Sequence, residues 1–139
     1  MKKNVLCIEK NKSICFVIKT LLKEKFNVQL FEDGYLAMKS ISTERSIDLI
    51  LLSIESVEDD NIELLYHLGS SSVLRNIPVI ILSSKNYDEL KDICLESNVH
   101  SFFTKPFNPL ELSEKINQTI LFANESQILY KKRKIFNLN

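Results

Sequence analysis

The run Val79-Ile80-Ile81-Leu82 is the stretch of this 139-residue sequence that decides its fold. The apolar residues follow one another without interruption, whereas a strand with one face in water would alternate apolar and polar residues. Two similar runs occupy Val5 to Ile8 and Leu49 to Leu52. Each run is short and has polar residues on both sides. We therefore expect three strands buried on both faces, as in a parallel sheet.

Helical patterns alternate with these runs. Apolar residues at helical spacing follow Asn11, a suitable N-cap, and a second pattern follows Asp60 or Asn61. Further helices are predicted from about Tyr87 to Glu96 and from Pro109, since proline is favoured in a first helical turn. Weaker strands at 28–31 and 101–104 bring the total to five strands and five helices in alternation. This order indicates an α/β fold with helices on both faces of a parallel sheet.

The charge balance argues against two classes of partner. The chain has 18 basic and 18 acidic residues, so no net field draws it to nucleic acid or to an anionic membrane. The basic run Lys131 to Lys134 is expected to stay solvated or to favour the negative end of a helix dipole. No apolar run is long enough for a membrane span or for the core of a signal peptide.

The cysteines and glycines narrow the chemistry further. Cys7, Cys15 and Cys94 are odd in number, widely spaced and set among apolar neighbours, which predicts reduced thiols rather than disulfides or metal ligands. Together with the missing signal peptide, they predict a cytoplasmic protein. The only glycines are Gly34 and Gly69, so we expect no glycine-rich loop for a nucleotide phosphate.

The ends of the predicted strands define a candidate site. In open parallel sheets, ligands bind beyond the carboxyl ends of the strands, where the strand order reverses. The first strand ends at Glu9 and Lys10, the third at Ser53, the fourth at Ser83, and the fifth at Lys105. We therefore expect these five side chains to converge.

Four segments carry a resemblance to a known family: Ile-Glu-Lys-Asn at 8–11, Asp-Leu-Ile-Leu-Leu-Ser at 48–53, Ile-Pro-Val-Ile-Ile-Leu-Ser at 77–83, and Phe-Phe-Thr-Lys-Pro-Phe at 102–107. From about Asn4 to Ile120, the chain resembles the receiver domain of two-component response regulators. The resemblance implies a flavodoxin-like, doubly wound, five-stranded sheet of order 2-1-3-4-5 whose last helix is extended. It also implies a cis peptide bond between Lys105 and Pro106.

The resemblance implies roles for the pocket residues. In this family an acidic pair after the first strand binds Mg²⁺, and an Asp ending the third strand accepts phosphate from a histidine kinase. A Ser or Thr and a Lys hold the phosphoryl oxygens. Glu9, Ser83 and Lys105 match this pattern, whereas Lys10 and Ser53 do not. A serine hydroxyl needs a base and would form a stable ester, so phosphorelay turnover is not expected. Ser83 and Lys105 are then interpreted as braces, with Lys105 neutralising Glu9, or else as residues retained to hold a phosphoryl ligand.

The lysine at position 10 argues against a metal. An ammonium about 4 Å from Mg²⁺ opposes it by roughly 8 kcal/mol at an effective dielectric of about 20, twice the unit-charge value. A millimolar site supplies only roughly 4 kcal/mol. Lys10 and Lys105 together outweigh Glu9, so we predict a net positive pocket without Mg²⁺ or another cofactor, suited to an anion or to no ligand. Glu55, at the pocket mouth, is expected to pair with Lys10 or Lys85 or to stay solvated.

These departures predict an atypical receiver domain that is not an enzyme and acts as a phosphorylation-independent protein-protein interaction module. We expect a protein partner on the fourth helix, fifth strand and fifth helix, and a homodimer is left open. Phe102 takes the position of the family's switch aromatic, or is simply a half-buried strand residue. The alternative is an active receiver that is phosphorylated at Ser53, Asp48 or Asp59.

The predicted domain spans residues 1–123. Residues 124–139 are interpreted as a helical, basic extension that is too short for a separate output domain. The apolar residues of this extension are expected to pack on the domain, on a second copy or on a partner.

Overall fold

The computed structural model describes residues 1–43, 46–97 and 99–135, with the side chains of 42, 43 and 126–135 excepted. Five strands and five helices alternate along this part of the chain. The strands are β1 (Lys3–Ile8), β2 (Phe26–Phe31), β3 (Leu49–Ser53), β4 (Val79–Ser83) and β5 (Val99–Thr104). The helices are α1 (Lys12–Leu22), α2 (Gly34–Thr43), α3 (Asn61–Ser70), α4 (Tyr87–Glu96) and α5 (Pro109–Ile135).

The strands form one parallel sheet in the order β2-β1-β3-β4-β5. The predicted fold class and strand order are therefore confirmed. In the register of the central strands, Leu6 lies beside Ile50, and Ile50 lies beside Val79. The strand order reverses between β1 and β3, so their carboxyl ends flank the position where such sheets bind ligands.

Two apolar layers explain why the central strands lack alternation. Ile50 and Leu52 belong to one core cluster, and Leu49 and Leu51 belong to a cluster on the opposite face. Helices α2, α3 and α4 contribute to the first cluster, and α1 and α5 contribute to the second. Successive side chains of a strand point to opposite faces, so a strand covered on both sides needs apolar residues at every position.

Strand β5 differs from its prediction at its beginning. It starts at Val99, and the pairing with β4 shifts between Val79 and Ile80, so that Ile80 lies beside Ser101. This irregularity places one extra residue in β5, which interrupts the pattern on which the sequence-based boundary rested. The peptide bond between Lys105 and Pro106 is cis, as the resemblance implied.

Asn11 caps α1 as predicted, and Asn86 caps α4. The side chains of Asn11 and Asn86 accept hydrogen bonds from the amides of Ile14 and Glu89. At α3, Asp60 makes no side-chain cap, and Asp59 Oδ1 instead accepts from the amide of Asn61 at 3.0 Å. Asp60 is therefore the N-cap residue of α3, as predicted, but the side chain that bonds the first amide of the helix is that of Asp59.

Helix α5 continues to Ile135, so the extended last helix is confirmed. The predicted contacts of the apolar side chains after Gln127, and the predicted role of Lys131 to Lys134, lie outside the described side chains. Within the described residues, no helix combines the length and apolar character that a membrane crossing requires.

Candidate functional site

Lys105 is the centre of the site at the carboxyl ends of the strands. Its Nζ forms an ion pair with Glu9 Oε1 and donates to Ser53 Oγ at 2.9 Å and to Glu55 Oε1 at 3.0 Å. Glu9 and Ser53 are buried, and the Lys105 side chain is only 9% exposed. The ends of β1, β3 and β5 are thus joined through one ammonium group.

Glu9 is held from two directions. Its Oε1 carries the Lys105 ion pair that was expected from the sequence, and its Oε2 accepts from the amide of Asn11 at 3.2 Å. The backbone amide of Glu9 donates to the carbonyl of Phe31 on β2 at 2.9 Å. The carboxylate is therefore fixed at the first turn of α1 and has a cationic partner inside the pocket.

Glu55 was expected to pair with Lys10 or Lys85 or to stay solvated, but it pairs with Lys105. Its carboxylate accepts from Lys105 Nζ, from the Ser84 amide at 3.1 and 3.2 Å, and from the Ser84 hydroxyl. Partial burial acts to raise the pKa of Glu55, but the hydrogen bonds from Ser84 and Lys105 outweigh burial and lower the pKa below its ordinary value. Sequence reasoning missed Ser84, because a serine beside a lysine in a loop carries no pattern.

Lys10 lines the same cavity as Glu9, Glu55 and Lys105. It is exposed, whereas the preceding residue, Glu9, is 3% exposed. The charged side chains that line this cavity are Glu9, Lys10, Glu55 and Lys105. Their formal charges sum to zero, so the predicted net positive charge is not found there. Because water and salt screen an exposed ammonium, the full opposition expected between Lys10 and a metal does not apply.

Ser83 is fully buried, and its side chain bonds within the loop between β4 and α4. Its hydroxyl accepts from the amide of Lys85 at 3.1 Å, and its carbonyl accepts from the amide of Lys105 at 2.7 Å. Ser83 therefore contacts Lys105 through its backbone carbonyl. The side-chain contact to the carboxylate of Glu55 is made by the neighbouring Ser84.

The loop between β3 and α3 is held by two polar side chains. Asp59 accepts from the amides of Glu55 at 2.9 Å and Asn61 at 3.0 Å. The buried side chain of Asn61 donates to the carbonyl of Ser53 at 2.8 Å. Asn61 also lies against Gly34, where an added Cβ would be 3.1 Å from Asn61 Oδ1. The sequence identified Asn61 only as a residue at the start of a helix, and not as a brace behind position 53.

Asp48 lies at the other end of β3 from Ser53. Its Oδ2 accepts from the amide of Asn4 at 2.7 Å, and its own amide donates to the carbonyl of Asn4 at 2.9 Å. This position was expected from the sequence, and it keeps Asp48 away from Lys105.

Phe102 is half-buried on β5 and packs against the core cluster that contains the α4 residues. Its ring makes an edge-to-face contact with Tyr87, the first residue of α4, with centroids 5.5 Å apart and planes at 78°. The side chain at the predicted switch position is thus linked to the start of α4.

A cavity of about 630 Å³ lies beside the polar cluster. Glu9, Glu55 and Lys105 line one part of it, and Ile14, Val17 and Phe107 contribute apolar surface.

The three cysteines are free thiols that differ in burial. Cys7 and Cys94 are buried, and burial raises the pKa of both thiols. Cys15 is partly buried and its pKa is also raised, first by burial and then by the charge of Glu9. The structure describes all three as free thiols, as predicted. Among the described residues, no group of three or more His, Cys, Asp and Glu side chains could hold a metal ion.

Comparison with known proteins agrees with this fold. The family model of the response regulator receiver domain matches residues 5–117. Two-component response regulator ORR3 of Oryza sativa subsp. indica is 30% identical over 106 residues, which cover 76% of this chain and 81% of that protein. The structure of the Francisella response regulator 1452 receiver domain is 32% identical, with a TM-score of 0.74 over 86% of this chain and 97% of that one.

A CheY-like receiver domain protein from Methanospirillum hungatei shows the same fold, with a TM-score of 0.80 and 20% identity over 91% of this chain and 99% of that one. The family match contains β2 to β5 and β1 from Val5 onward. It also contains the whole polar cluster, since Glu9 and Lys105 both lie within residues 5–117. The chain therefore belongs to the family of response regulator receiver domains.

Proposed function

We propose that this receiver domain works in phosphorelay-type signal transduction without being phosphorylated, as a module that binds another protein. The observation that carries the proposal is the bond between Lys105 Nζ and Ser53 Oγ at 2.9 Å. The side chain at the family's acceptor position is a neutral, buried hydroxyl that already accepts a hydrogen bond from the pocket's lysine.

Ser53 and Lys105 are close enough to suggest a nucleophile and its base. A base must accept the hydroxyl proton, and this requires a neutral amine. Lys105 instead forms ion pairs with Glu9 and Glu55 and donates a hydrogen bond to Ser53. We therefore propose that the domain is not an enzyme.

The substitute acceptors are weak candidates on the same grounds of geometry. Both carboxylate oxygens of Asp59 accept backbone amides, so phosphorylation there would break the bonds that hold the loop. Asp48 is bonded to Asn4 at the opposite end of β3. These observations favour the interaction module over an active receiver with a displaced acceptor.

We also propose that Mg²⁺ binding is lost. Mg²⁺ requires oxygen ligands in nearly octahedral geometry at about 2.0–2.1 Å. The carboxylates of Glu9 and Glu55 each direct an oxygen at Lys105 Nζ, the same atom that donates to Ser53. A divalent ion would have to displace this buried ammonium, and the second acid of the family pattern is the exposed Lys10. The residues present do not fit the ion.

The partner is proposed to be a protein that contacts α4, β5 and α5. Exposed apolar side chains lie on these elements: Tyr87 and Leu95 on α4, and Leu110, Leu121 and Phe122 on α5. Exposed apolar groups at this density favour burial against another protein. Nucleic acid and membrane are not proposed partners, the proposed location is the cytoplasm, and a second copy of the chain is one candidate partner.

Mass spectrometry of the intact protein tests the proposal directly. The protein is incubated with a small phosphodonor and Mg²⁺, with an active receiver domain as the positive control. We expect the control to gain one phosphoryl group and this protein to gain none. Incorporation of phosphate at Ser53, Asp48 or Asp59 would instead establish the active receiver.

A further inference from the structure

The carboxylate of Glu55 connects three loops that the sheet alone leaves separate. Glu55 follows β3, Ser84 follows β4, and Lys105 follows β5. The carboxylate accepts from the amide and hydroxyl of Ser84 and from the ammonium of Lys105. Hydrogen bonds of this kind, with at least one charged partner, are stronger than neutral ones.

These donors are the kind of groups that hold a phosphoryl group: an ammonium, a hydroxyl and a backbone amide. A phosphoryl group on residue 53 would place its negative oxygens near Lys105, since Lys105 Nζ is 2.9 Å from Ser53 Oγ. The same ammonium already forms an ion pair with Glu55 Oε1 at 3.0 Å. An anion from outside would therefore compete with a carboxylate that belongs to the chain.

We propose that Glu55 is a built-in anion of the pocket: it takes the place among the donors of Ser84 and Lys105 that a phosphoryl group would take, and so holds the β4–α4 loop in one arrangement.

The bonds continue from this loop into the start of α4. Ser84 is fixed by Glu55, and the next amide, that of Lys85, donates to the hydroxyl of Ser83. Asn86 then caps α4. The first residue of that helix, Tyr87, contacts Phe102 on β5. Fixing Ser84 therefore restrains the position from which α4 begins and the edge contact that follows it.

This inference rests on the proposed function only for its biological consequence, which is an α4–β5–α5 surface that needs no phosphorylation. The contact itself is tested on the protein alone. Glu55→Ala removes the carboxylate, and Glu55→Gln keeps the side-chain length but removes the charge. Glu58→Gln makes the same charge change in the same loop, at an exposed residue, and is the matched control.

Hydrogen exchange of the Ser84 amide is the first measurement. We expect exchange to become about tenfold faster or more in Glu55→Ala, the factor expected when a hydrogen bond to a charged group is lost. Glu55→Gln should show a smaller increase, because an amide oxygen still accepts, and Glu58→Gln should match the original protein. Equal exchange in Glu55→Ala and the original protein would refute the proposal.

Titration with inorganic phosphate, followed by NMR, is the second measurement. We expect saturable shifts at Ser84 and Lys105 in Glu55→Ala, and none in the original protein or in Glu58→Gln. Equal phosphate binding with and without the Glu55 carboxylate would overturn the proposal. Neither measurement depends on phosphodonor labelling, so labelling of the original protein would contradict the proposed function without deciding the role of Glu55.

Discussion

Lys105 Nζ lies 2.9 Å from Ser53 Oγ, and this bond places a cation beside a neutral residue at the end of β3. The negative charge that balances the lysine comes from Glu9 and Glu55. The pocket thus keeps a network of charged side chains, while Ser53, the residue at the family's acceptor position, carries no charge. The ammonium is consequently a structural brace whose removal has measurable effects.

Replacing Lys105 should destabilise the fold strongly. Lys105→Met leaves Glu9, which is 3% exposed, without its cationic partner, and breaking a buried pair in this way costs about 3–5 kcal/mol. Urea unfolding measures the loss. Lys10→Met is the matched control, because Lys10 is exposed and an exposed substitution usually changes stability by about 0.5 kcal/mol or less. Equal effects of the two changes would show that Lys105 is not a brace.

The contribution of Glu55 to stability should depend on pH. Its pKa lies below the ordinary value of 4.5, so its ionised form is favoured by folding. The stabilisation is therefore present above pH 4.5 and is lost as the pH falls through the lower, folded-state pKa. We expect the difference in urea midpoint between the original protein and Glu55→Gln to shrink over that range. The effect should be modest and sensitive to salt, because the side chain is 42% exposed. A difference that grows on acidification would contradict the assignment.

Restoring the pocket should require two substitutions. Ser53→Asp supplies a carboxylate, but Lys105 Nζ is close enough to take it as a further ion-pair partner. Lys10→Asp supplies the missing acid but no acceptor. We expect only the double variant to bind Mg²⁺ and to gain phosphate from a small donor, with strong non-additivity. Intact-mass measurement and an NMR titration with Mg²⁺ follow the two gains. Rapid labelling of Ser53→Asp alone would show that Lys10 is not the obstacle.

Gly34→Ala should destabilise the protein through Asn61. The added Cβ would lie 3.1 Å from Asn61 Oδ1 and 3.3 Å from Leu64 Cδ2, so these neighbours must shift. Overpacking of this kind costs about 1–3 kcal/mol. Asn61→Ala alone loses the hydrogen bond to the carbonyl of Ser53, but it also removes the oxygen that the added Cβ would crowd. The double variant should therefore lose less stability than the sum of the single losses. Additive losses, measured by urea unfolding, would show that the two residues act separately.

The sequence predicted the sheet well because its signal is periodic. Leu49 to Leu52 cover both faces of β3, and only a strand between two helical layers needs such a run. The same rule placed Glu9, Ser53 and Lys105 at one end of the sheet. The partners of Glu55 and the exposure of Lys10 were not predictable in this way. They depend on the path of irregular loops, where a charge has no periodic pattern to show which way its side chain points.

The bond between Glu55 and Ser84 has a consequence for how such a molecule carries information. Glu55 is only two residues from Ser53, so chain geometry alone sets its local concentration at the pocket, and dissolved anions compete at a disadvantage. An anion that is part of the chain is neither delivered by a kinase nor removed by hydrolysis. Under the proposed function, such a receiver lacks a phosphorylated state of limited lifetime, and we expect its output to follow the number of molecules present and the amount of partner available to them.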